Sequence, residues 1–155
     1  QALVIWETPD QTNETSEPLT ISRFYTLSLH EKSNLGIDLT SWRGRPFSET
    51  EKKGFDISKL IGHTCLLNVI QGNKNNKIGS VMPLPKGDKI AEQYHTSVTF
   101  SMDDFQKGKK ETFNQLSEGI RNIILRSKEL EGLEHKDNGD DNNGSNTVGQ
   151  EPVPF

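Results

Sequence analysis

Alternation of apolar and polar residues dominates the first part of the chain. Residues 2–6 form a short apolar run that predicts a strand, and the polar stretch from there to Pro18 predicts a loop. From Leu19 to Leu29 apolar residues occupy mainly the odd positions, which predicts a strand with one buried face. Tyr25 falls on that buried face and Phe24 on the open one.

The middle of the chain predicts a β-hairpin. A strand dense in apolar side chains runs from Thr64 to Ile70, the polar segment Gly72–Lys77 has the composition of a tight turn, and Ile78–Leu84 is the returning strand. His95–Phe100 predicts one more short strand. The count of predicted strands is therefore five.

Short helices separate these strands. Ser33 or Asn34 can cap a helix that ends near Trp42, and Ser48–Glu51 has the pattern of a second helix start, which Gly54 ends early. Five short strands with small intervening helices favour a mainly β fold, a small five-stranded Greek-key barrel of the OB type, over a sandwich or a parallel sheet.

The C-terminal third predicts one amphipathic helix and then a tail. Between Lys110 and Leu130 apolar side chains recur at helical spacing, at Phe113, Leu116, Ile120, Ile123, Ile124 and Leu130. Residues 131–155 are too polar to fold and predict a disordered acidic tail. Residues 1–130 thus form the expected OB-fold-like domain with its C-terminal helix.

Composition limits the class of protein. The chain has 155 residues, of which 30% are hydrophobic, enough for one modest core. No apolar run could span a bilayer and no signal peptide is recognisable, so we expect a soluble cytoplasmic protein without a membrane partner. Cys65 is the single cysteine and is expected to be a small buried apolar group.

Charge is unevenly distributed along the chain, although the net charge is only −4. Residues 129–155 carry seven acids against one base, a charge of −6, whereas residues 20–128 carry 17 bases against 11 acids, a charge of +6. A basic body joined to an acidic tail is typical of proteins that bind nucleic acid and must also be released from it.

Aromatic and basic residues suited to single-stranded DNA are concentrated between residues 23 and 47. Binding a single strand requires rings for stacking on bases and cations for phosphates along one groove. The alternative is that Trp42 and Phe47 are core residues and that the arginines pair with Glu49 or Asp38. The candidate DNA-binding residues are Arg23, Phe24, Tyr25, Lys32, Trp42, Arg43, Arg45 and Phe47, with Lys74, Lys77, Lys86 and Lys89 in the hairpin tip and the following loop.

The last five residues have the features of a partner-binding tip. Phe155 offers a ring for an apolar pocket, its α-carboxylate can pair with Arg or Lys, and two prolines reduce the entropy lost on docking. The candidate partner-binding residues are Glu151, Pro152, Val153, Pro154 and Phe155.

Two resemblances agree with this interpretation. The tip resembles the acidic, Pro-Phe-terminated tails of bacterial single-stranded DNA-binding proteins, with Val153 in place of Ile. Residues 2–86, with Leu19–Leu35, Trp42–Phe47 and Gly54–Gly62 as the matching stretches, resemble small phage-encoded proteins of replication and recombination modules, commonly taken as OB-fold single-stranded DNA binders. These resemblances imply a phage DNA replication or recombination protein in the bacterial host cytoplasm. They also imply that its tip recruits a primase, helicase, annealing recombinase, exonuclease or polymerase.

Enzymatic function has less support in the sequence. His63 and Cys65 lack the further ligands of a zinc site, and no phosphate-binding loop follows Gly72 or Gly108. We therefore expect no enzyme, no cofactor and no metal. Two alternatives stay open, an adaptor that does not bind DNA and a metal-dependent nuclease using acids such as Asp103 and Asp104. A homo-oligomer is equally open, because the sequence has no heptad pattern or exposed apolar seam that distinguishes a monomer from a dimer or a tetramer.

Overall fold

The computed structural model describes residues 1–130, so the predicted disordered tail at 131–155 and its tip at Glu151–Phe155 lie outside the described residues. The chain divides into two compact units. The first comprises Gln1–Thr99, and the second begins at Phe100. Each is described by itself below.

The first unit begins with a hairpin of β1 (Ala2–Thr12) and β2 (Pro18–Tyr25), with Trp6 opposite Ile21. Both elements were predicted, but their lengths differ from the prediction. The polar residues after Trp6 belong to β1, because they pair with the start of β2. β2 ends at Tyr25 rather than Leu29, since its partner Ala2 is the first residue of β1 and offers no further pairing.

Two helices and a 3₁₀ turn follow, and the predicted caps are confirmed. α1 spans Asn34–Arg43, with the Ser33 hydroxyl accepting a hydrogen bond from the Gly36 amide at 3.0 Å. α2 spans Glu49–Gly54 and starts with a capping box, in which Ser48 and Glu51 each accept from the other's backbone amide. A 3₁₀ turn at Ile57–Leu60 leads toward the second hairpin.

The second hairpin, predicted around residues 64–84, consists of β3 (Leu66–Gln71) and β4 (Asn76–Met82). Its register shifts between Asn68 and Val69, which leaves Gly79 as an extra residue in β4. Residues three apart lie on opposite faces of a regular strand, but a bulge changes the phase. Ile78 and Val81 therefore both reach the core.

One core joins the two hairpins to α1. The rings of Trp6 and Tyr25 meet edge to face with centroids 6.3 Å apart. Nη1 of Arg23 lies 3.5 Å from the carbonyl oxygen of Ile78 and so connects β2 with β4. The buried cluster consists of Trp6, Tyr25, Leu35, Leu39, Ile78 and Val81.

The prediction of a five-stranded barrel is not confirmed. Residues 1–130 contain four strands in two separate two-stranded antiparallel sheets, together with short helices, so the fold is mixed α and β without a closed barrel in this range. The predicted strand His95–Phe100 is absent. The segment alternates as a strand would, but no neighbouring strand within the described range pairs with it. At its start, the amides of Tyr94 and His95 donate to the carboxylate of Glu7 instead of to a strand.

The described part of the second unit, residues 100–130, contains the short helices α3 (Met102–Gln106), α4 (Glu111–Gln115) and α5 (Glu118–Leu125). The prediction of a single helix from Lys110 to Leu130 was wrong. Leu116 and Ser117 have extended backbone, with ψ of 150° and 154°, and break the helical hydrogen bonding. Among the described helices none is long and apolar enough to cross a bilayer.

Candidate nucleic-acid interface

A groove of about 580 Å³ opens in the first unit between α1, α2 and the 3₁₀ turn. Its lining combines three aromatic rings with basic side chains, which is the composition expected of a single-strand binding surface. Three of the candidates from the sequence, Trp42, Arg43 and Phe47, lie in it together. The lining residues are Leu39, Trp42, Arg43, Phe47, Thr50, Glu51, Gly54, Phe55, Lys59, Leu60 and His63.

The aromatic rings of the groove are held in fixed positions. The indole Nε1 of Trp42 donates to the carbonyl oxygen of Thr64 at 2.9 Å, which ties the end of α1 to the segment before β3. Phe47 and Phe55 meet edge to face with centroids 5.1 Å apart. Trp42 and Phe47 are half-buried against the core. Each therefore packs on the core and also lines the groove.

Two arginines share one carboxylate at the edge of the groove. Nη2 of Arg43 donates to Oε1 of Glu51 at 2.7 Å, and Arg45 donates to both oxygens of Glu51 at 2.8 and 3.3 Å. The Arg43 guanidinium also lies over the Phe47 ring, 4.1 Å from its centroid. The two arginines differ in exposure: 24% of the Arg43 side chain is exposed, against 61% for Arg45.

Glu51 is charged under all ordinary conditions. Hydrogen bonds from Arg43, from Arg45 and from the Ser48 amide hold the pKa of this carboxyl far below its usual range. Among the lining residues, Arg43 and Lys59 each contribute +1 and Glu51 contributes −1, so the lining carries a charge of +1. Arg45, which is bound to Glu51 at the edge, adds one further positive charge next to the groove. That charge favours an anionic ligand.

Sequence reasoning missed four charged or ring-bearing residues of the groove, Glu51, Phe55, Lys59 and His63. It also proposed Glu49 or Asp38 as alternative partners for the arginines, whereas Glu51 is the partner of Arg43 and Arg45. The capping box that begins at Ser48 marked Glu51 as the third helical residue, but it did not indicate which way its side chain faces. Phe55, Lys59 and His63 lie in segments whose placement depends on tertiary packing.

Arg23 and Tyr25 are both bound to Asp38, and Tyr25 lies in the core. Asp38, only 4% exposed, accepts from Arg23 Nη1 at 2.9 Å and from the Tyr25 hydroxyl at 2.6 Å. Burial and the contact with Asp38 raise the pKa of Tyr25 well above its usual value. Tyr25 is 3% exposed, so in this conformation its ring presents no face to a ligand.

The remaining candidates lie on the surface outside the groove. Phe24 is 52% exposed on the open face of the first sheet, opposite Leu3. Lys74 and Lys77 are exposed at the tip of the second hairpin, and neither forms an ion pair with a carboxylate among residues 1–130. The other exposed candidates are Lys32, before α1, and Lys86 and Lys89, in the loop after β4.

Glu7 anchors that loop. Its carboxylate accepts hydrogen bonds at 2.8 Å from the amides of Tyr94 and His95, and it lies 2.7 Å from Nδ1 of His95. Burial raises the pKa of Glu7, but the hydrogen bonds from His95 and Tyr94 outweigh it and leave the pKa below its usual value. The loop is thus fastened to β1 by an ionised side chain.

Metal-ligating groups do not converge within the described part of the chain: no three His, Cys, Asp or Glu side chains there are placed to hold a metal ion. Burial raises the pKa of the Cys65 thiol to about 11, so the thiol is neutral at physiological pH. Comparisons with protein-family models, with curated proteins and with solved structures found no match to this chain.

Proposed function

We propose that this protein binds single-stranded DNA without catalysis, and that the groove beside α1 and α2 is its principal binding surface. The observation that carries the proposal is the meeting of Trp42, Phe47 and Phe55 with Arg43 and Lys59 in one groove of net positive charge, with Arg45 at its edge. Bases stack on the aromatic side chains, and phosphates pair with the exposed cations. A closed OB barrel forms no part of this proposal.

The exposed residues outside the groove extend the contact with the strand. Phe24 offers a further ring, and Lys74 and Lys77 offer cations at the tip of a hairpin. Because a single strand is flexible and several nucleotides long, it can contact separated stacking and cationic sites. We include Lys32, Lys86 and Lys89 as weaker phosphate contacts on their exposure alone.

We further propose that the tip at Glu151–Phe155 recruits a replication or recombination protein. The support is the sequence: the apolar segment Pro152–Phe155 follows a strongly acidic segment. With this tip and the DNA-binding groove, this protein would act in phage DNA replication or recombination in the cytoplasm of a bacterial host. Deleting residues 151–155 is expected to leave DNA affinity unchanged or slightly raised while abolishing partner capture.

Trp42 provides a direct test of the DNA proposal. Trp6 is buried in the core, so Trp42 is the indole that a strand in the groove would contact. Titration with oligo(dT) at low salt should quench Trp fluorescence, and raising the salt should weaken binding because counterions are released. Trp42→Phe should remove most of the quenching while retaining a ring to pack beside Leu39.

The same titration separates the competing functions. Absence of both quenching and binding of a labelled oligo(dT) at low salt would overturn the proposal and favour a DNA-free adaptor. Cleavage of the strand on addition of Mg²⁺ would favour a nuclease. Quenching that persists unchanged in Trp42→Phe would place the strand elsewhere on the protein.

A further inference from the structure

Glu51 lies where a phosphate would have to bind in order to reach both arginines. Its two carboxylate oxygens engage Arg43 Nη2 at 2.7 Å and the two terminal nitrogens of Arg45 at 2.8 and 3.3 Å. A carboxylate and a phosphate present the same paired oxygens to a guanidinium fork. In the free protein, therefore, a side chain of the protein occupies the place of the ligand's anion.

Arg43 has more contacts within the protein than Arg45, and this difference decides which arginine a ligand can bind. Arg43 is fixed twice, by Glu51 and by stacking on the Phe47 ring. Arg45 contacts Glu51 alone among the described carboxylates, and its side chain is 61% exposed. An exposed ion pair of this kind contributes little to stability, so exchange of its partner is inexpensive.

The capping box keeps Glu51 in place after such an exchange. The Ser48 amide donates to Oε2 at 2.8 Å, and Arg43 continues to neutralise Oε1. Loss of Arg45 therefore leaves neither Glu51 nor Arg43 without a partner. Glu51 and Arg43 therefore keep a hydrogen-bond partner whether Arg45 binds Glu51 or a phosphate.

We propose that Glu51 is an internal competitor for the phosphate of the strand, and that binding transfers Arg45 from Glu51 to the phosphate while Arg43 stays. This inference rests on the proposed function. Glu51 therefore weakens binding, because a phosphate must first displace its carboxylate from Arg45. Ligands with several phosphates are favoured, since their other contacts offset this cost.

Glu51→Gln tests the inference and keeps the helix start, since a Gln side chain can still accept the Ser48 amide. Oligo(dT) affinity should rise about twofold to fivefold, the upper part of the range expected for release of one exposed ion pair. The slope of the salt dependence should change by less than about 0.7, because Arg45 already contacts the phosphate in the wild-type complex and no further phosphate contact is gained. Thermal unfolding of the variant verifies that it is folded.

Glu49→Gln is the matched control. Glu49 is on the same helix, 83% exposed, and pairs with Lys52 at 2.7 Å, so its removal changes the net charge equally without touching the arginines. Affinity in this variant should rise less than twofold. Equal gains in both variants would mean that overall charge is responsible and would overturn the inference.

A double-mutant cycle assigns the effect to Arg45. Arg45→Ala should weaken binding, and Glu51→Gln should give no gain in the Arg45→Ala background. A full gain in that background would overturn the inference while leaving the proposed function standing. Failure of wild type and Glu51→Gln alike to bind oligo(dT) at low salt would overturn both.

Discussion

The hydroxyl of Tyr25 donates a hydrogen bond of 2.6 Å to Oδ2 of Asp38, which joins the end of β2 to the middle of α1. Arg23 donates to the same oxygen at 2.9 Å. One buried carboxylate thus orients two residues of β2 against α1, the helix that ends beside the groove.

Removing this carboxylate should destabilise the first unit strongly. Asp38→Ala leaves the Arg23 guanidinium and the Tyr25 hydroxyl without their acceptor, and we expect a loss of about 3 kcal/mol in the free energy of unfolding. Tyr25→Phe should cost about 1 kcal/mol, since it removes one hydrogen bond. Urea unfolding followed by circular dichroism measures both. Asp10→Ala, at an exposed acid in β1, should change the stability by less than about 0.5 kcal/mol.

Cys65 should react slowly with alkylating agents. The thiolate is the reactive form, and burial raises the pKa of the thiol to about 11. At pH 8 iodoacetamide should modify it roughly a hundredfold more slowly than an ordinary cysteine, and the rate should rise about tenfold per pH unit until it approaches the pKa. Mass spectrometry gives the rate, and the same chain unfolded in urea is the reference. Equal rates in the folded and unfolded chains would contradict the burial of the thiol.

A side chain at Gly79 should destabilise the second hairpin. An added Cβ would lie 3.1 Å from Cγ2 of Ile70 and 3.2 Å from Nδ2 of Asn68, so these two side chains of β3 must move by a few tenths of an ångström. We expect Gly79→Ala to lower the free energy of unfolding by about 1 kcal/mol. Gly54→Ala is the control, because no heavy atom lies within 4 Å of its added Cβ and alanine favours helix. Chemical denaturation of the two variants should therefore give shifts of opposite sign, or no shift for Gly54.

The loop fastened by Glu7 should open in acid. The pKa of Glu7 is lower in the folded protein than its ordinary value of 4.5, so its bonds stabilise the fold fully above about pH 4.5 and are lost as pH falls through the folded pKa. At neutral pH, Glu7→Gln should mimic this loss. Hydrogen exchange at the amides of Tyr94 and His95 should accelerate roughly tenfold.

Glu14→Gln, at an exposed acid in the turn of the first hairpin, supplies the comparison for that experiment. It removes the same charge without affecting the loop, so exchange at Tyr94 and His95 should match wild type. Unchanged protection of both amides in Glu7→Gln would mean that other contacts hold the loop.

Local signals in the sequence predicted the local structure well. Ser33 and Ser48 cap their helices because an N-cap depends on groups within three residues, and the turn near Gly72 closes a hairpin for the same reason. The predicted strand at 95–100 failed because a strand needs a partner edge, which its own pattern cannot supply. Apolar spacing from 110 to 130 continues across the break at Leu116 and Ser117, so the pattern could not locate it.

The candidate site was predictable in composition but not in connectivity. The segment from Trp42 to Phe47 supplies two aromatics and two arginines by sequence alone. Which acid the arginines meet depends on how α2 turns back toward that segment, and packing between distant elements decides this. Arg23 and Tyr25 are a basic and an aromatic residue, as the other candidates are, yet both form hydrogen bonds with the buried Asp38.

The extra residue in β4 fixes the strand register of the second hairpin but leaves part of its turn sequence free to vary. Because the bulge at Gly79 sets the phase that brings Ile78 and Val81 to the core, sliding the strands by one residue would place apolar side chains in solvent. The register is thus fixed from within the strand rather than by the turn. Gly72 cannot take part in such variation, because an added Cβ would clash with the carbonyl oxygen of Asn75. Residues 73–75 can change without disturbing the core, so the charge carried at the tip is free to evolve separately from the fold.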